Sequence, residues 1–316
     1  MENQLISVVV PAYNCAELVS QCIDSLLSQT VSNLEIIVVN DGSRDETARV
    51  LQAYGDRIRV ITQENQGVTA ARLNGVRHAR GQWIGFADAD DQMEPWMYER
   101  LLQNALQEKA DISHCGCREV YSDGRILRNH NTGTFRLQDR LTGLKDLIQN
   151  IVIEPSLWDK LYRKSLFEGL DEKMDRSIRN NEDMLMNFYL FSEAQRSVYQ
   201  DVDPYHYCIQ AQSASRGKLN PHVLYDPIAV RERILGECEQ ALQSDAREAL
   251  VWMTLFSYRQ VMDPRTPYEE DRKRLREMLR EQKQYLPSLR KKTALQLQLV
   301  CSCPWLYRLF CRLLRG

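Results

Sequence analysis

Residues 83–91, WIGFADADD, run an apolar strand directly into three carboxylates, Asp88, Asp90 and Asp91. Like charges crowded at one strand exit repel one another unless a cation sits among them or water screens them. Upstream, short apolar runs at Ile6 to Val10, Glu35 to Val39 and Arg59 to Thr62 alternate with amphipathic segments. Such alternation is βαβ arithmetic and predicts an α/β fold on a mostly parallel central sheet flanked by helices. Ligands collect at the carboxyl ends of strands in such sheets, which is where the acidic run stands.

The intervening helices are legible from their period. Val19, Cys22, Ile23, Leu26 and Leu27 recur at helical spacing, with Asn14 placed as the cap. Ser43 and Glu46 spell an S-x-x-E capping box just after Asn40-Asp41-Gly42, so a helix is expected to start there. Further helices are expected near Leu141 to Val152 and Asp183 to Ser192, the latter capped by Asn180 or Asn181, with a loop from Gln210 to Asn220. Beyond Pro221 the period is helical throughout, including a Thr266-Pro267-x-Glu269 start.

Composition narrows the function classes. The 316 residues are 43% hydrophobic and 27% charged, ordinary for a globular chain of one large or two smaller domains. A net charge of −2, from 41 basic and 43 acidic residues, supplies no field for nucleic acid. The nine cysteines include C-x-C pairs at Cys115/Cys117 and Cys301/Cys303 but no matching C-x₂-C pairs for zinc, so reduced thiols are expected. The opening MENQLISVVVPAYN lacks a basic n-region and no stretch reaches the length of a membrane span, which predicts a cytoplasmic protein.

Three features carry chemistry. The D-x-D-D run is either a solvated acidic turn or an oxygen-only site for Mg²⁺ or Mn²⁺, ions that bind through one or two carboxylates plus substrate phosphates. Asp41, also at a strand exit, serves either an Asx turn or the imide N–H of a uracil. Arg72 falls on the apolar stripe Val68, Ala71, Gly75, Val76, Ala79, and a guanidinium there needs an acceptor: Asp41 or Asp88 as a structural pair, or a nucleotide.

The motifs SVVVPAYN, EIIVVNDGSRDET, NQGVTAARLNG, IGFADADD, SLWDKLYRKSLF, NNEDMLM and YHYCIQAQSAS, in this order over about residues 5 to 216, resemble glycosyltransferase family 2. The resemblance implies a GT-A fold at residues 1–220, with a nucleotide-binding half at 1–115 and an acceptor half at 116–220; residues 221–316 carry no motif of the family and are expected, from their period, to form a helical C-terminal extension. It also implies a nucleotide-sugar donor, a divalent cation, and inversion at the anomeric carbon. Carried over by motif, the donor nucleotide set is Pro11, Ala12, Tyr13, Asn14, Asp41, Asn65, Arg72, Asp88 and Ala89. Tyr13 then lies near the base, Asp88 at the ribose, and Asp90 on the metal bridging the diphosphate. Asp183 of Glu182-Asp183 is the implied general base, against the plain alternative of acidic residues favoured at a helix N-terminus.

Asp91, Trp158, Lys160, Glu182, Ser213 and Arg216 fall to the sugar, diphosphate or acceptor. Trp158 reads equally as a core aromatic, and Lys160 as an approach to phosphate. His206 reads as a further metal or diphosphate contact, or as a hydrogen-bonded structural histidine. Ser213, Ser215 and Arg216 resemble the family's S-x-S loop, in which Arg216 would clamp phosphate, but Cys208 stands where an arginine is common.

From Arg290 on the chain is basic and apolar. Leu306, Leu309, Phe310 and Leu313 form a stripe, Arg308, Arg312 and Arg315 lie on other faces, and Trp305 and Tyr307 suit an interface. Residues 290–316 therefore lie on an anionic membrane surface, or dock on the core or on a second subunit of a homodimer. The family resemblance implies as partners a nucleotide-sugar donor and a glycan or lipid-linked acceptor, at the inner face of a bacterial cell membrane where similar enzymes build capsule, exopolysaccharide or lipopolysaccharide. The rival from another class is a catalytically inactive sugar-nucleotide-binding or scaffold protein. A nicotinamide dehydrogenase lacks support, because PAYNCAE replaces the G-x-G-x-x-G turn.

Overall fold

The structure, a computed structural model, describes residues 4–121, 123–128, 131–150, 153–209 and 219–313. Two compact units divide the chain, Met1–Lys218 and Leu219–Gly316. In the first, the opening alternation is β1 (Ile6–Ala12), α1 (Val19–Leu27), β2 (Leu34–Asp41), α2 (Thr47–Gln52), β3 (Arg59–Gln63), α3 (Val68–His78) and β4 (Trp83–Phe86). There follow β5 (Gln92–Met93), α4 (Met97–Glu108), β6 (Ile112–Tyr121), β7 (Ile126–Arg128), β8 (Phe135–Asp139) and α5 (Arg140–Gln149). The unit ends with β9 (Lys160–Arg163), α6 (Leu170–Lys173), α7 (Glu182–Glu193) and β10 (Arg196–Ile209).

One sheet holds these strands in the order β3-β2-β1-β4-β9-β6-β10-β5, with β7 beside β6 and β8 beside β10. Its first four strands are parallel, as the βαβ pattern requires, and are covered on both faces: Val8, Val9 and Val10 are all fully buried. The second half is mixed. β9 enters antiparallel between β4 and β6, whereas β6 and β10 run parallel. The β6–β10 register shifts between Gln200 and Tyr205, so β10 pairs β8 before the irregularity and β5 after it. Helix α3 lies against β1 because residue 75 is glycine, since a Cβ there would stand 2.3 Å from a methyl of Val9.

Helix starts differ from the sequence expectation. Asn14 does not cap α1, which begins at Val19; it adopts φ +48° and its Oδ1 accepts from the Arg44 N–H at 2.8 Å. The Ser43/Glu46 box is not formed either. Ser43 Oγ accepts from the Asn14 N–H, and Asp45 accepts from the N–H of Thr47 at the head of α2. The polar side chains of these loops tie the loops to one another instead. Asn181 stands before α7 without a side-chain cap bond, and α10 starts at Glu269 while Thr266 donates to the Asp263 carbonyl.

The second unit is helical: α8 (Pro221–Glu237), α9 (Gln243–Val261), α10 (Glu269–Glu281), α11 (Lys291–Ser302) and α12 (Pro304–Leu313). It has its own core, including Leu250, Val251, Leu255, Leu275, Leu279, Leu297 and Tyr307. Tyr307, expected at an interface, is fully buried there, and Cys311 is buried with it. The inward edge of α12 is therefore Tyr307/Cys311, while Leu306, Leu309 and Trp305 face outward. Among the described residues no helix is long and apolar enough to cross a membrane.

Candidate active site

The carboxyl ends of the parallel strands β1, β2 and β4 form one edge, at the switch point where strands added after β1 pass from one side of it (β2, β3) to the other (β4). At β1, Pro11 is half-buried, Ala12 buried, and the Tyr13 ring is 49% exposed beside the exposed Asn14. At β2, Asp41 is buried: Oδ1 accepts from Gln63 Nε2 (2.7 Å) and the Gln66 N–H (2.9 Å), and Oδ2 from the Gly67 N–H (2.9 Å). The carboxylate thus braces the β3–α3 loop that displays the exposed Asn65, and retains acceptor capacity for about one further donor. Gly42 makes room for this loop, since a Cβ there would meet the Asn65 nitrogen at 2.8 Å.

At β4 the acidic residues separate into different jobs. Asp88 Oδ1 accepts from Arg72 Nη2 at 3.0 Å, and the other fork nitrogen, Nη1, donates to Glu182 Oε1 at 3.1 Å. Arg72 is buried, and the two carboxylates hold its guanidinium charged well above the ordinary range against the cost of burial. Its Nε has no hydrogen-bond partner among the described residues. The arginine expected at the nucleotide is thus a strap from the exit of β4 to the head of α7, and Glu182 is its second anchor. Asp91 is fully enclosed, accepting from the Tyr205 hydroxyl (2.7 Å) and the Cys208 N–H (2.8 Å). It is a strut to β10, and the expectation of a sugar contact does not hold for a side chain with no exposed surface. Ala89 is buried. Asp90 remains half-exposed, takes no ion pair among the described residues, and has its carboxyl raised by burial and by Asp88.

Those facts test the fit of a divalent cation. Asp90 and Asp88 supply hard oxygen donors whose mutual repulsion a cation would relieve. Among the described residues no three His, Cys, Asp or Glu side chains converge on a common point. Such a site completes its coordination from substrate phosphates and water, which suits Mg²⁺ or Mn²⁺. His206 is not a member. Successive residues of a strand point to opposite faces, and Tyr205 reaches Asp91, so His206 points away and meets Glu94 at 3.1 Å. Burial and the nearby Arg118 lower its pKa.

Asp183 lies in the first turn of α7, partly buried. Its pKa is pushed up to about 7, chiefly by desolvation and next by Glu182, while Arg72 acts in the opposite sense. Helix α7 is bolted to the sheet: Asn187 accepts from the Tyr162 hydroxyl at 2.7 Å and donates to the carbonyls of Pro155 and Ser156. Tyr162 sits on β9 opposite Ile84 of β4, so one rigid path links Asp88 to Asp183.

Lys160 does not approach phosphate. It is fully buried, with Nζ donating to Asp159 Oδ1 (2.6 Å) and to the carbonyls of Ser156 (2.6 Å) and Glu154 (2.8 Å), so its three donors are spent. It props the loop that also receives Asn187. Trp158 is partly buried and stacks on Tyr205 (4.1 Å between ring centroids) and Tyr207 (5.9 Å). Tyr205, the hub joining Trp158, Asp88 N–H and Asp91, was not singled out in the sequence, although the period of two in PYHYC already separates it from His206. Ser213, Ser215 and Arg216 lie outside the described residues.

Comparison with known proteins is consistent with this geometry. Residues 7–170 match the family model described as glycosyl transferase family 2. The chain is 38% identical over 209 residues to the uncharacterized glycosyltransferase EpsJ of Bacillus subtilis, covering 64% of this chain and 60% of that protein. It is 39% identical over 129 residues to the chondroitin synthase of Pasteurella multocida, covering 40% of this chain and 13% of that protein. The chain thus spans about three-fifths of EpsJ and far less of the synthase. Among solved structures, S. aureus TarS 1–349 in complex with UDP-GlcNAc superposes with a TM-score of 0.70 at 16% identity, covering 93% of this chain and 86% of that one. That likeness shows a GT-A fold with additional C-terminal helices.

Proposed function

The chain belongs to glycosyl transferase family 2, and on that premise we propose that it transfers a sugar from a nucleotide diphosphate sugar to a hydroxyl of a glycan or lipid-linked acceptor, with inversion. One observation carries the reading: Arg72 joins Asp88, at the edge where a donor would bind, to the Glu182-Asp183 pair at the head of α7. Asp183, with its pKa pushed up to about 7, is poised to take a proton near neutral pH. It is the general base for the acceptor hydroxyl. A single displacement needs no second nucleophile, which is why the reading includes inversion.

Tyr13, Asn65 and the remaining acceptor capacity of Asp41 face the base of the donor, and a UDP donor suits that set; the UDP-GlcNAc complex of TarS supports it. Asp90, with Asp88 beside it, would hold Mn²⁺ or Mg²⁺. When bound, such an ion neutralises charge developing on the departing diphosphate. The polymer-forming relative supports a role in building capsule, exopolysaccharide or lipopolysaccharide. That role sets the enzyme in the cytoplasm, on the inner face of the cell membrane.

The test is a thermal-shift panel of nucleotide sugars with and without Mn²⁺, because a ligand that binds only the native state raises its melting temperature. A UDP-sugar is expected to stabilise the chain in a Mn²⁺-dependent way that Asp90→Ala abolishes. Donor hydrolysis or transfer then separates an enzyme from an inactive binding protein. No shift with any nucleotide sugar would overturn the reading.

A further inference from the structure

Tyr205 on β10 is fully buried, where a hydroxyl is unfavourable unless its proton and its lone pairs find partners. Both do, and both partners belong to the acidic run. The hydroxyl donates to Asp91 Oδ2 at 2.7 Å and accepts from the Asp88 N–H at 3.2 Å. One oxygen thus clasps the first and the last carboxylate-bearing residue of the run. The run is itself a turn, closed by the Asp91 N–H on the Asp88 carbonyl at 3.1 Å. Asp90, half-exposed, stands between the two clasped residues.

On either side of the clasp the chain is held by other means. Downstream, Asp91 Oδ1 accepts from the Cys208 N–H at 2.8 Å, β5 pairs Gln92 with His206 and Met93 with Tyr205, and the Glu94 N–H donates to the Pro204 carbonyl at 2.8 Å. Upstream, the Ala87 N–H donates to the Val9 carbonyl of β1 at 3.2 Å. At Asp88 the main chain leaves this lattice, and its N–H is held by a side chain, that of Tyr205. The ring that carries the hydroxyl is fixed in turn, because Trp158 stacks on it with 4.1 Å between centroids and 12° between planes. A hydroxyl lies in the plane of its ring, so a stacked ring delivers that oxygen to one place.

We propose that Tyr205 is a positioning residue for the donor: by clasping both ends of the acidic turn it aims the Asp88 and Asp90 carboxylates at the cation that accompanies the diphosphate. With no exposed surface, Tyr205 acts through the turn, as groups that orient the ligands of a metal do. Asp91 serves the same clasp from the other end of the bond. The assignment rests on the donor site proposed above, and its test separates the two.

The experiment is calorimetric titration of the full chain with UDP, once in Mn²⁺ and once in EDTA. In the wild type Mn²⁺ is expected to tighten UDP binding. Tyr205→Phe keeps the ring and its stack on Trp158 and removes the clasp. UDP affinity in Mn²⁺ should then fall roughly tenfold or more, while affinity in EDTA, set at the base by Tyr13, Asn65 and Asp41, stays as in the wild type. A general loosening of the unit would lower both affinities, so the split reads position rather than stability. Asp91→Asn should show the same split, and adding it to Tyr205→Phe should cost little more. Tyr307→Phe, which takes an equally buried hydroxyl from the second unit, should change neither affinity. Circular dichroism and melting temperature report folding, and if Tyr205→Phe does not fold, Asp91→Asn decides. Wild-type UDP affinity in Mn²⁺ for either folded variant, or an equal loss in Mn²⁺ and in EDTA, would overturn the proposal. Wild-type binding of UDP that ignores Mn²⁺ would overturn the cation-held donor site and this assignment together.

Discussion

Replacing Asp183 by Asn removes a carboxylate at nearly constant shape and separates two properties of this residue. The folded environment raises the Asp183 pKa from 3.8 to about 7, through desolvation first and Glu182 second. A carboxyl raised in this way contributes no penalty below pH 3.8, where it is neutral in both states. As pH rises through 3.8 the unfolded chain ionises while the folded one stays protonated, so stability falls until the folded group also ionises near pH 7. At 1.36 kcal/mol per unit the loss is at most about 4 kcal/mol, a ceiling because the side chain keeps partial contact with water. Asn has no such titration. Urea unfolding should therefore find Asp183→Asn close to wild type at pH 4 and progressively more stable than wild type toward pH 8. Donor binding should persist in the same variant, while transfer drops roughly 10²-fold or more, as expected when a general base is lost. In the wild type, transfer should rise with pH through about 7 as the base deprotonates. Wild-type-like transfer by Asp183→Asn would refute the base assignment, and a stability gap independent of pH would refute the electrostatic account.

Substitutions at two further residues probe the buried charges. Arg72→Met leaves Asp88 and Glu182 without their shared cation and should cost about 3–5 kcal/mol in urea unfolding, with Arg72→Lys recovering only part because one ammonium does not span the fork. Arg72→Met should also move the acidic limb of the transfer profile to higher pH, since the arginine opposes the upward shift at Asp183. Lys160→Met strands Asp159, whose carboxyl is already pushed up to about 6 by burial, and should lower stability by a similar about 3–5 kcal/mol. A donor titration of that variant below its melting temperature should match wild type, and a large loss of donor affinity would return Lys160 to the phosphate.

The first four strands and the acidic edge were legible because their signals are local: β-branched runs set the strands, and a D-x-D-D run directly follows one of them. What escaped was decided by partners far along the chain. The side chains of Asn14, Ser43 and Asp45 obey the chemistry of capping, yet the β1–α1 and β2–α2 loops meet in space and consume them mutually. Arg72 was correctly read as needing an acceptor, but Glu182, its second one, lies 110 residues away. Lys160 looks like any family-motif lysine until three oxygens of its own loop are seen around it. In α12 the period marks Leu306, Leu309, Phe310 and Leu313 as the stripe, whereas the buried edge belongs to Tyr307, whose hydroxyl accepts from Arg259. Periodicity reports which faces are apolar, and hydrogen bonds of this kind settle which face turns inward.

The bolt from Tyr162 to Asn187 bears on how such a chain can diversify. Residues 123–125 and β7 (Ile126–Arg128), which pairs with the end of β6 and leaves Ile126 and Leu127 exposed, lie outside the path through β4, β9 and α7, so they can lengthen, shorten or change character without altering the reach between the two ends of that path. Novelty in what is recognised should accumulate in those outer segments, while the calliper between Asp88 and Asp183 keeps one setting.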